Sequence, residues 1–236
     1  MQSATPGIKG ISSMATRQLL AELLSSFEKL SGCNAVIEAV GGVDAAKRVQ
    51  AGEAFDVVVL ASDAIDKLMA AGHLQADSKV DLVRSGVAVA VRSGASLPDI
   101  ASEDAVKRAV LAARSISYST GPSGVALAKL FERWGIAGEI AGRMVQAPPG
   151  VPVGTLVARG EVELGFQQLS ELIHVAGITV VGPLPPEIQI TTTFSAGAHA
   201  SVAAGSAQAV RVHALLDYLG SPQAAEAKRR QGMDPA

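Results

Sequence analysis

Residues 35–60 read AVIEAVGGVDAAKRVQAGEAFDVVVL, in the order strand, turn, helix, strand. Ala35–Val40 predicts the first strand, Gly41-Gly42-Val43-Asp44 a turn, and Ala45–Gln50 a helix. Asp56–Leu60 has four consecutive β-branched or Leu residues after its Asp, which is typical of a strand buried on both faces of a parallel sheet. The stretch therefore predicts a strand–helix–strand unit.

The same alternation extends in both directions along the chain. Ile8–Ile11 predicts a strand, and Met14 to Leu30 has the apolar spacing of an amphipathic helix. Further elements are predicted as helices over Asp63–Ala71, Ser102–Ala113, Ser123–Trp134, Gly154–Arg159 and the tail Ala207–Gln231, and as strands over Ser115–Tyr118, Leu164–Gln167 and Ile178–Val181. Strands that alternate with helices in this way predict an α/β fold with a largely parallel sheet.

Two long β segments suggest how the chain is divided. Asp81–Arg92 is interrupted by the polar step Arg84-Ser85-Gly86, and Ile188–Phe194 is the second long run. We interpret them as paired crossings between two lobes, near residues 84–92 and 186–194. The first lobe would take residues 1–83 and 189–236, the second residues 86–185, with a cleft between them.

Composition excludes several classes of protein. The 236 residues are 48% hydrophobic and 18% charged, which is enough apolar material for a sizeable core. Twenty Lys and Arg against twenty-two Asp and Glu give a net charge of −2, so no broad basic field attracts nucleic acid. Apolar runs are interrupted before they reach the ~18 residues of a membrane span, so no direct membrane insertion is expected.

The N-terminal sequence is informative about the cellular location of the protein. It has neither a basic start nor the apolar run of about 7–15 residues found in secretory signals, so the sequence as it stands predicts a cytoplasmic protein. A chain whose signal had been removed would look the same and would be periplasmic. The single Cys33 excludes an internal disulfide.

Three polar turns fall where strands end and helices begin. They are Ile11-Ser12-Ser13-Met14, Val40-Gly41-Gly42-Val43 and Ser119-Thr120-Gly121-Pro122-Ser123-Gly124. In an open α/β sheet ligands bind at the carboxyl ends of the strands, where free N–H groups at helix starts favour an anion. We therefore expect an anion site; the alternative for each turn is ordinary helix capping. The candidate contacts are Ser12, Ser13, Gly41, Gly42, Ser119, Ser123 and Gly124.

Charged and amide side chains extend this candidate site. Arg17 lies one helical turn beyond Ser13, and Arg84 lies at the mid-strand break, so either could clamp a carboxylate. The alternatives are a solvated helix face for Arg17 and a salt bridge between lobes for Arg84. Gln167 and Gln168 follow a buried-looking run, and we expect one amide to point into the cleft while the other is structural.

The sequence lacks the motifs typical of nucleotide binding, metal binding and serine hydrolysis. No Gly-Lys-Ser/Thr phosphate loop or three-Gly dinucleotide motif is present, and the four His residues do not have metal-ligand spacing. Ser123 is not in a Gly-x-Ser-x-Gly elbow. We expect no cofactor and no metal, and the sequence identifies no catalytic residue.

Several segments together carry a family resemblance. Ile11-Ser12-Ser13-Met14, residues 46–52 before Phe55–Val59, and Tyr218–Ala225 with Gly232-Met233 resemble the molybdate-binding solute-binding protein family over nearly the whole chain. The resemblance implies the type II periplasmic-binding-protein fold, with two mixed sheets flanked by helices and a ligand in the hinge cleft. It also implies a small anionic ligand and an ABC permease as partner.

The resemblance also implies individual site residues. The family binds its tetrahedral oxyanion through a Ser matched by Ser13 or Ser12, a small-residue turn matched by Ser123-Gly124, and a backbone N–H near Val153. Gly41-Gly42 replaces a Ser-rich turn, and Gln167-Gln168 replaces a Tyr, so two hydroxyls are missing. Pro152 would remove a further N–H if it occupied the donor position.

These departures affect the expected ligand. The added Arg and Gln groups suit a planar carboxylate, so we expect an organic di- or tricarboxylate. The first alternative implied by the resemblance is an isomerase of an unsaturated tricarboxylate such as aconitate, working by a 1,3-proton shift, although the sequence shows no convincing base. Molybdate or tungstate binding for an ABC transporter and an intracellular ligand-sensing module are the remaining alternatives.

Overall fold

The computed structural model describes residues 7–148 and 150–236, so residues 1–6, on which the prediction about a secretory signal depends, lie outside the described part. By their contacts the residues form two compact units. The first unit ends at Arg84 and resumes at Thr193; the second is Ser85–Thr192.

Strands and helices alternate along both units. The strands are β1 (Ile8–Ser13), β2 (Ala35–Val40), β3 (Val57–Ala61), β4 (Val80–Arg92), β5 (Ile116–Tyr118), β6 (Met144–Gln146), β7 (Leu164–Gln168), β8 (Ile178–Pro183), β9 (Thr191–Ala198) and β10 (Asp234–Pro235). The helices are α1 (Arg17–Ser31), α2 (Gly42–Gln50), α3 (Ser62–Ala70), α4 (Glu103–Ala112), α5 (Pro122–Arg133), α6 (Ala137–Ile140), α7 (Val153–Arg159), α8 (Leu169–Leu172), α9 (Ala207–Gly220) and α10 (Ala225–Arg230). The predicted α/β class is confirmed.

The first unit is built on strands in the order β2-β1-β3-β9-β4, with β10 also paired to β4. β1 runs parallel to both β2 and β3, whereas β9 is antiparallel to β3. All five residues of β3 are buried, because Val57 and Val59 pack into the core that holds α1 and α9 while Val58 and Leu60 pack into the core that holds α2 and α3. The predicted two-sided burial of this strand is confirmed.

The second unit is built on the order β4-β7-β5-β6, with β8 also paired to β4. β5 runs parallel to β6 and β7, and β4 is antiparallel to β7 and β8. Its largest apolar cluster includes Phe131 and Phe166, whose rings meet edge to face at 6.1 Å between centroids. The parallel strands of each unit thus end at one edge of their own sheet.

Strand β4 differs from its prediction. The expected break at Arg84-Ser85-Gly86 is wrong, because β4 is one strand of 13 residues. Ser85 is fully buried, and the N–H of Val87, two residues later, donates to the side-chain oxygen of Gln189 at 3.0 Å. The two predicted sheets are therefore joined, since β4 contributes hydrogen bonds to both.

Three other boundaries are corrected. The first helix begins with a 3-10 turn at Met14–Thr16, and α1 proper starts at Arg17. The strand predicted from Ile188 starts at Thr191, because Pro186–Ile188 forms a 3-10 turn. The tail predicted as one helix is divided at Pro222, whose missing N–H cannot continue the ladder of α9.

No helix in residues 7–148 and 150–236 is both long and apolar enough to cross a membrane.

Gly165 allows α7 to lie directly on β7. A Cβ at this position would lie 2.6 Å from Val157 Cγ2 and 2.9 Å from Val153 Cγ1, and both valines are fully buried. We expect Gly165→Ala to lower the free energy of unfolding by about 1–3 kcal/mol, as overpacked cores do, measured by urea denaturation. Gly138→Ala is the control, because no atom lies within 4 Å of its added methyl. Equal stability of the two variants would contradict this packing.

Candidate functional site

Ser13, Gly41 and Gly42 form the first-unit cluster. Ser13 is the last residue of β1 and pairs with Val40 at the end of β2, so both strands deliver their carboxyl ends to the same place. A Cβ on Gly42 would lie 3.5 Å from the Cβ of Ser13, so the start of α2 lies against this serine. Ser13 is 7% exposed, and its hydroxyl oxygen is buried with no hydrogen-bond partner among the described residues.

The neighbouring hydroxyl groups are engaged within the fold. Ser12 is fully buried, and its Oγ donates to the carbonyl of Glu38 at 3.2 Å. Thr16 Oγ1 donates to the carbonyl of Ser13 at 3.1 Å. Of the two serines predicted to contact a ligand, Ser13 has the hydroxyl that the described fold leaves available.

A carboxylate already lies near Gly41. A Cβ on Gly41 would lie 3.3 Å from Oδ2 of Asp44, an acidic residue in the first turn of α2. An acidic side chain there stabilises the positive end of the helix dipole. It also repels a second anion at this turn, so Ser13 is the stronger anion donor of the cluster.

The two predicted arginine clamps have different surroundings. Arg17, the first residue of α1, is exposed and makes no ion pair or hydrogen bond with any described side chain. Arg84 is also exposed, but its Nη2 donates to the carbonyl of Pro235 at 3.1 Å, and Arg84 pairs with Asp234 in β10. Arg84 thus fastens the C-terminal strand to β4.

We define the second-unit cluster as Ser119, Ser123 and Gln168. Ser119 directly follows β5, Ser123 lies in the first turn of α5, and Gln168 is the last residue of β7, the parallel neighbour of β5. Ser119 and Ser123 place their hydroxyl oxygens 3.4 Å apart. A Cβ on Gly124 would collide with the carbonyl of Ser119, so any larger residue would displace the turn. Close packing of this turn therefore accounts for Gly124.

The two adjacent glutamines, Gln167 and Gln168, differ in their hydrogen bonding, although each is only 3% exposed. Gln167 is fully engaged: its Oε1 accepts from the N–H of Gly154 at 3.3 Å, and its Nε2 donates to Glu171 Oε1 at 2.8 Å. Gln168 Nε2 donates to Thr192 Oγ1 at 2.9 Å. Its Oε1 is buried and finds no partner in the described parts of the chain. Because Thr192 can donate or accept, the opposite amide orientation would offer an N–H to a ligand.

Val153 and Ser117 are two further buried residues of the second unit. Val153 is the first residue of α7, and its side chain is fully buried. Its side chain therefore belongs to the core. Ser117, which the sequence analysis missed, lies opposite Gly165 in the β5–β7 pairing. Its hydroxyl is buried and lacks a hydrogen-bond partner within the described residues.

Glu171 is a second residue that the sequence analysis missed. It lies in α8, immediately after β7, and is partly buried. Burial of the carboxyl raises its pKa to about 7, while the hydrogen bond from Gln167 lowers the pKa by a smaller amount. A Gln near the end of a buried strand and a Glu four residues later are the signal that could have identified this pair.

The described residues give no support to a metal site. No group of three or more His, Cys, Asp or Glu side chains within the described ranges is placed to hold a metal ion. The available donors are instead hydroxyl and amide groups at the ends of β1, β5 and β7, which suit an anion or a polar organic molecule.

Comparison with known proteins identifies the family. The family model described as bacterial extracellular solute-binding protein matches residues 8–234. The chain belongs to this family. Its description favours the periplasmic alternative over the cytoplasmic prediction. A curated relative from Pseudomonas sp. named aconitate isomerase is 39% identical to this solute-binding protein over 222 residues, covering 92% of this chain and 83% of the relative.

Solved structures show the same fold. The periplasmic molybdate-binding protein of Azotobacter vinelandii superposes with a TM-score of 0.78 at 19% identity, covering 96% of this chain and 98% of that one. A binding protein from A. tumefaciens R10, solved in complex with agropinic acid, superposes with a TM-score of 0.67 at 12% identity, covering 98% of this chain and 84% of that one. The predicted periplasmic-binding-protein-like fold and the resemblance to molybdate-binding proteins are confirmed.

The pKa of Glu171 makes stability depend on pH. The folded carboxyl has a pKa of about 7, above its ordinary value of 4.5, so the folded state holds a proton that the unfolded chain releases first. We expect the wild type to lose stability relative to Glu171→Gln as pH rises from about 4.5 through about 7. Urea unfolding at several pH values measures the difference, with exposed Glu139→Gln as control. A difference that does not change with pH would contradict the assignment.

Proposed function

We propose that this solute-binding protein binds a small organic polycarboxylate, an unsaturated tricarboxylate in particular, through the first-unit cluster. The observation that carries the proposal is the buried hydroxyl of Ser13, unpartnered among the described residues. Leaving a buried polar group unsatisfied costs about 1–3 kcal/mol, and an anionic oxygen that accepts from this hydroxyl would remove that cost.

The chemistry of the first-unit cluster favours a carboxylate over a tetrahedral metal oxyanion. Gly41 and Gly42 supply no hydroxyl beside Ser13, so the cluster has few of the hydroxyl donors that a tetrahedral oxyanion would engage. The relative named aconitate isomerase supports the same class of ligand, because it is 39% identical across 92% of this chain.

Arg17 is the cation best suited to balance the ligand's charge. It follows Ser13 by one turn and is exposed, whereas Arg84 already donates to Pro235. A guanidinium can give two parallel hydrogen bonds to one carboxylate, which a hydroxyl cannot. In this proposal Ser13 and Arg17 bind the ligand, and Arg84 holds β10.

Calorimetric titration of Ser13→Ala with cis- and trans-aconitate, citrate, sulfate and molybdate tests the proposal. We expect tricarboxylate affinity to fall about 10- to 100-fold, the effect of about 1.5–3 kcal/mol for a hydrogen bond to a charged group. Ser12→Ala is the matched control, because its hydroxyl is bound to Glu38. It should affect stability and leave affinity unchanged.

Two results would contradict this proposal. Unchanged affinity in Ser13→Ala, together with a lower melting temperature, would limit Ser13 to a structural role. Tight molybdate binding by the wild type without tricarboxylate binding would favour the oxyanion alternative.

The 39% identity to the aconitate isomerase favours a second candidate function, isomerisation of the bound tricarboxylate. The other candidate use of binding is delivery to an ABC permease. Proton NMR of cis-aconitate with wild-type protein separates the two functions. Appearance of the trans isomer supports the enzyme, and saturable binding with the substrate unchanged supports a transport role.

A further inference from the structure

We infer that Thr16 is a positioning residue for the first-unit cluster, because its side chain fixes the turn that sets the direction of Arg17 relative to Ser13. The inference rests on the proposed function, since it requires Ser13 and Arg17 to bind the same polycarboxylate. Thr16 is fully buried, so its role is to hold the two binding residues rather than to contact the ligand.

The turn between β1 and α1 is a short 3-10 helix that lies directly between the two proposed binding residues. It covers Met14–Thr16. Ser13 precedes it in the extended conformation, with φ −76° and ψ 157°, and Arg17 follows it as the first residue of α1. The N–H of Arg17 donates to the carbonyl of Met14. The path of this turn therefore determines where Arg17 lies relative to Ser13.

The side chain of Thr16 closes the turn. Its Oγ1 donates to the carbonyl of Ser13 at 3.1 Å, and this hydrogen bond is buried, so water does not compete for it. Thr16 itself has φ −98° and ψ 0°, close to the conformation of the third residue of a tight turn. The hydroxyl thus ties the end of the turn back to the residue that precedes it.

Two hydroxyl groups flank the turn, and they have different roles. A serine that precedes a helix ordinarily caps it with its side chain. Ser13 does not cap the 3-10 turn, and its Oγ has no partner among the described residues. Because Thr16 bonds to the backbone at this point, the hydroxyl of Ser13 stays available for an anion.

The type of turn sets the geometry of the two binding groups. A 3-10 helix rotates by about 120° and rises about 2.0 Å per residue, whereas an α-helix rotates by about 100° and rises about 1.5 Å. Over the three residues of this turn the two geometries differ by about 60° and about 1.5 Å. Binding groups have to be held within about 0.5 Å and 10–20° of their productive geometry. A turn that relaxed toward an α-helix would therefore separate the hydroxyl from the guanidinium.

Thr16→Val and Thr16→Ser test this role, with calorimetric titration of cis-aconitate, trans-aconitate and citrate as the measurement. Valine keeps the shape of the buried side chain and removes the hydroxyl, so we expect affinity to fall about 3- to 10-fold, within the range of one neutral hydrogen bond. Serine keeps the hydroxyl and loses a methyl group, so its affinity should stay within twofold of wild type even though its melting temperature falls.

Ser26→Ala is the matched control. In the same helix, Ser26 Oγ donates to the carbonyl of Glu22 at 3.2 Å, so the variant loses a comparable hydrogen bond away from the turn. It should lower the melting temperature and leave affinity unchanged. In a double-mutant cycle, Thr16→Val should cost less affinity in a Ser13→Ala background than in wild type, because the group that it positions is then absent.

Several outcomes would overturn the inference and leave the proposed function standing. They are affinity of Thr16→Val within twofold of wild type, an equal loss of affinity in Thr16→Ser, and losses that are fully additive with that of Ser13→Ala. If Thr16→Val does not fold, Ala15→Gly replaces it, because glycine loosens the same turn without removing a side-chain hydrogen bond. Unchanged affinity in Ala15→Gly would then overturn the inference. Absence of binding of all three polycarboxylates to wild type would overturn the proposed function as well.

Discussion

The backbone hydrogen bonding of β4 is the constraint on which the rest of the fold depends. Its 13 residues supply N–H and C=O groups to β10 near Arg84 and to β7 and β8 from Val87 onward. A buried backbone group without a partner costs free energy, so each unit must bring strands to its own half of β4. The chain meets this requirement by forming the second unit from residues 85–192 and then returning to the first at Thr193.

Much of this architecture could be predicted from local pattern. β2 was predicted residue for residue, and β3 within one residue at each end, because apolar β-branched runs between turns are strong signals. The elements that were missed are α6, β6, α8 and β10, which have two to four residues each. Such short segments have no measurable periodicity. The break wrongly expected in β4 reflects Ser85, a polar residue that is nevertheless fully buried.

The candidate site was predictable only in part for the same reason. Ser13 could be identified because a polar residue that ends a strand and precedes a helix is visible in the sequence. Glu171 could not, because its properties arise from burial and from its bond to Gln167, which are set by tertiary structure. Arg84 looked like a clamp, yet its partner, Pro235, lies at the other end of the sequence. No local sequence pattern shows that two residues so far apart in the sequence are in contact.

In each unit, one of two adjacent polar residues is engaged within the fold, and the next has a buried polar atom without a partner among the described residues. Ser12 and Gln167 have their polar atoms engaged within the protein, whereas Ser13 and Gln168, one residue later, each keep a buried atom without a partner in the described chain. Successive side chains of a strand point to opposite faces, so one member of each pair can support the sheet while the next faces elsewhere. Substitution of the two members should therefore have separable effects.

The order in which the ribosome makes the chain gives the position of β9 and β10 a further meaning. β3 leaves the ribosome long before its antiparallel neighbour β9, and β10 follows β9. The second unit is one uninterrupted segment and can be complete while the first still lacks part of its sheet. At about 5–20 residues per second, β3 waits several seconds with its open edge accessible to other chains. During that interval the edge of β3 is open to pairing with strands of other chains, a hazard that the topology itself creates.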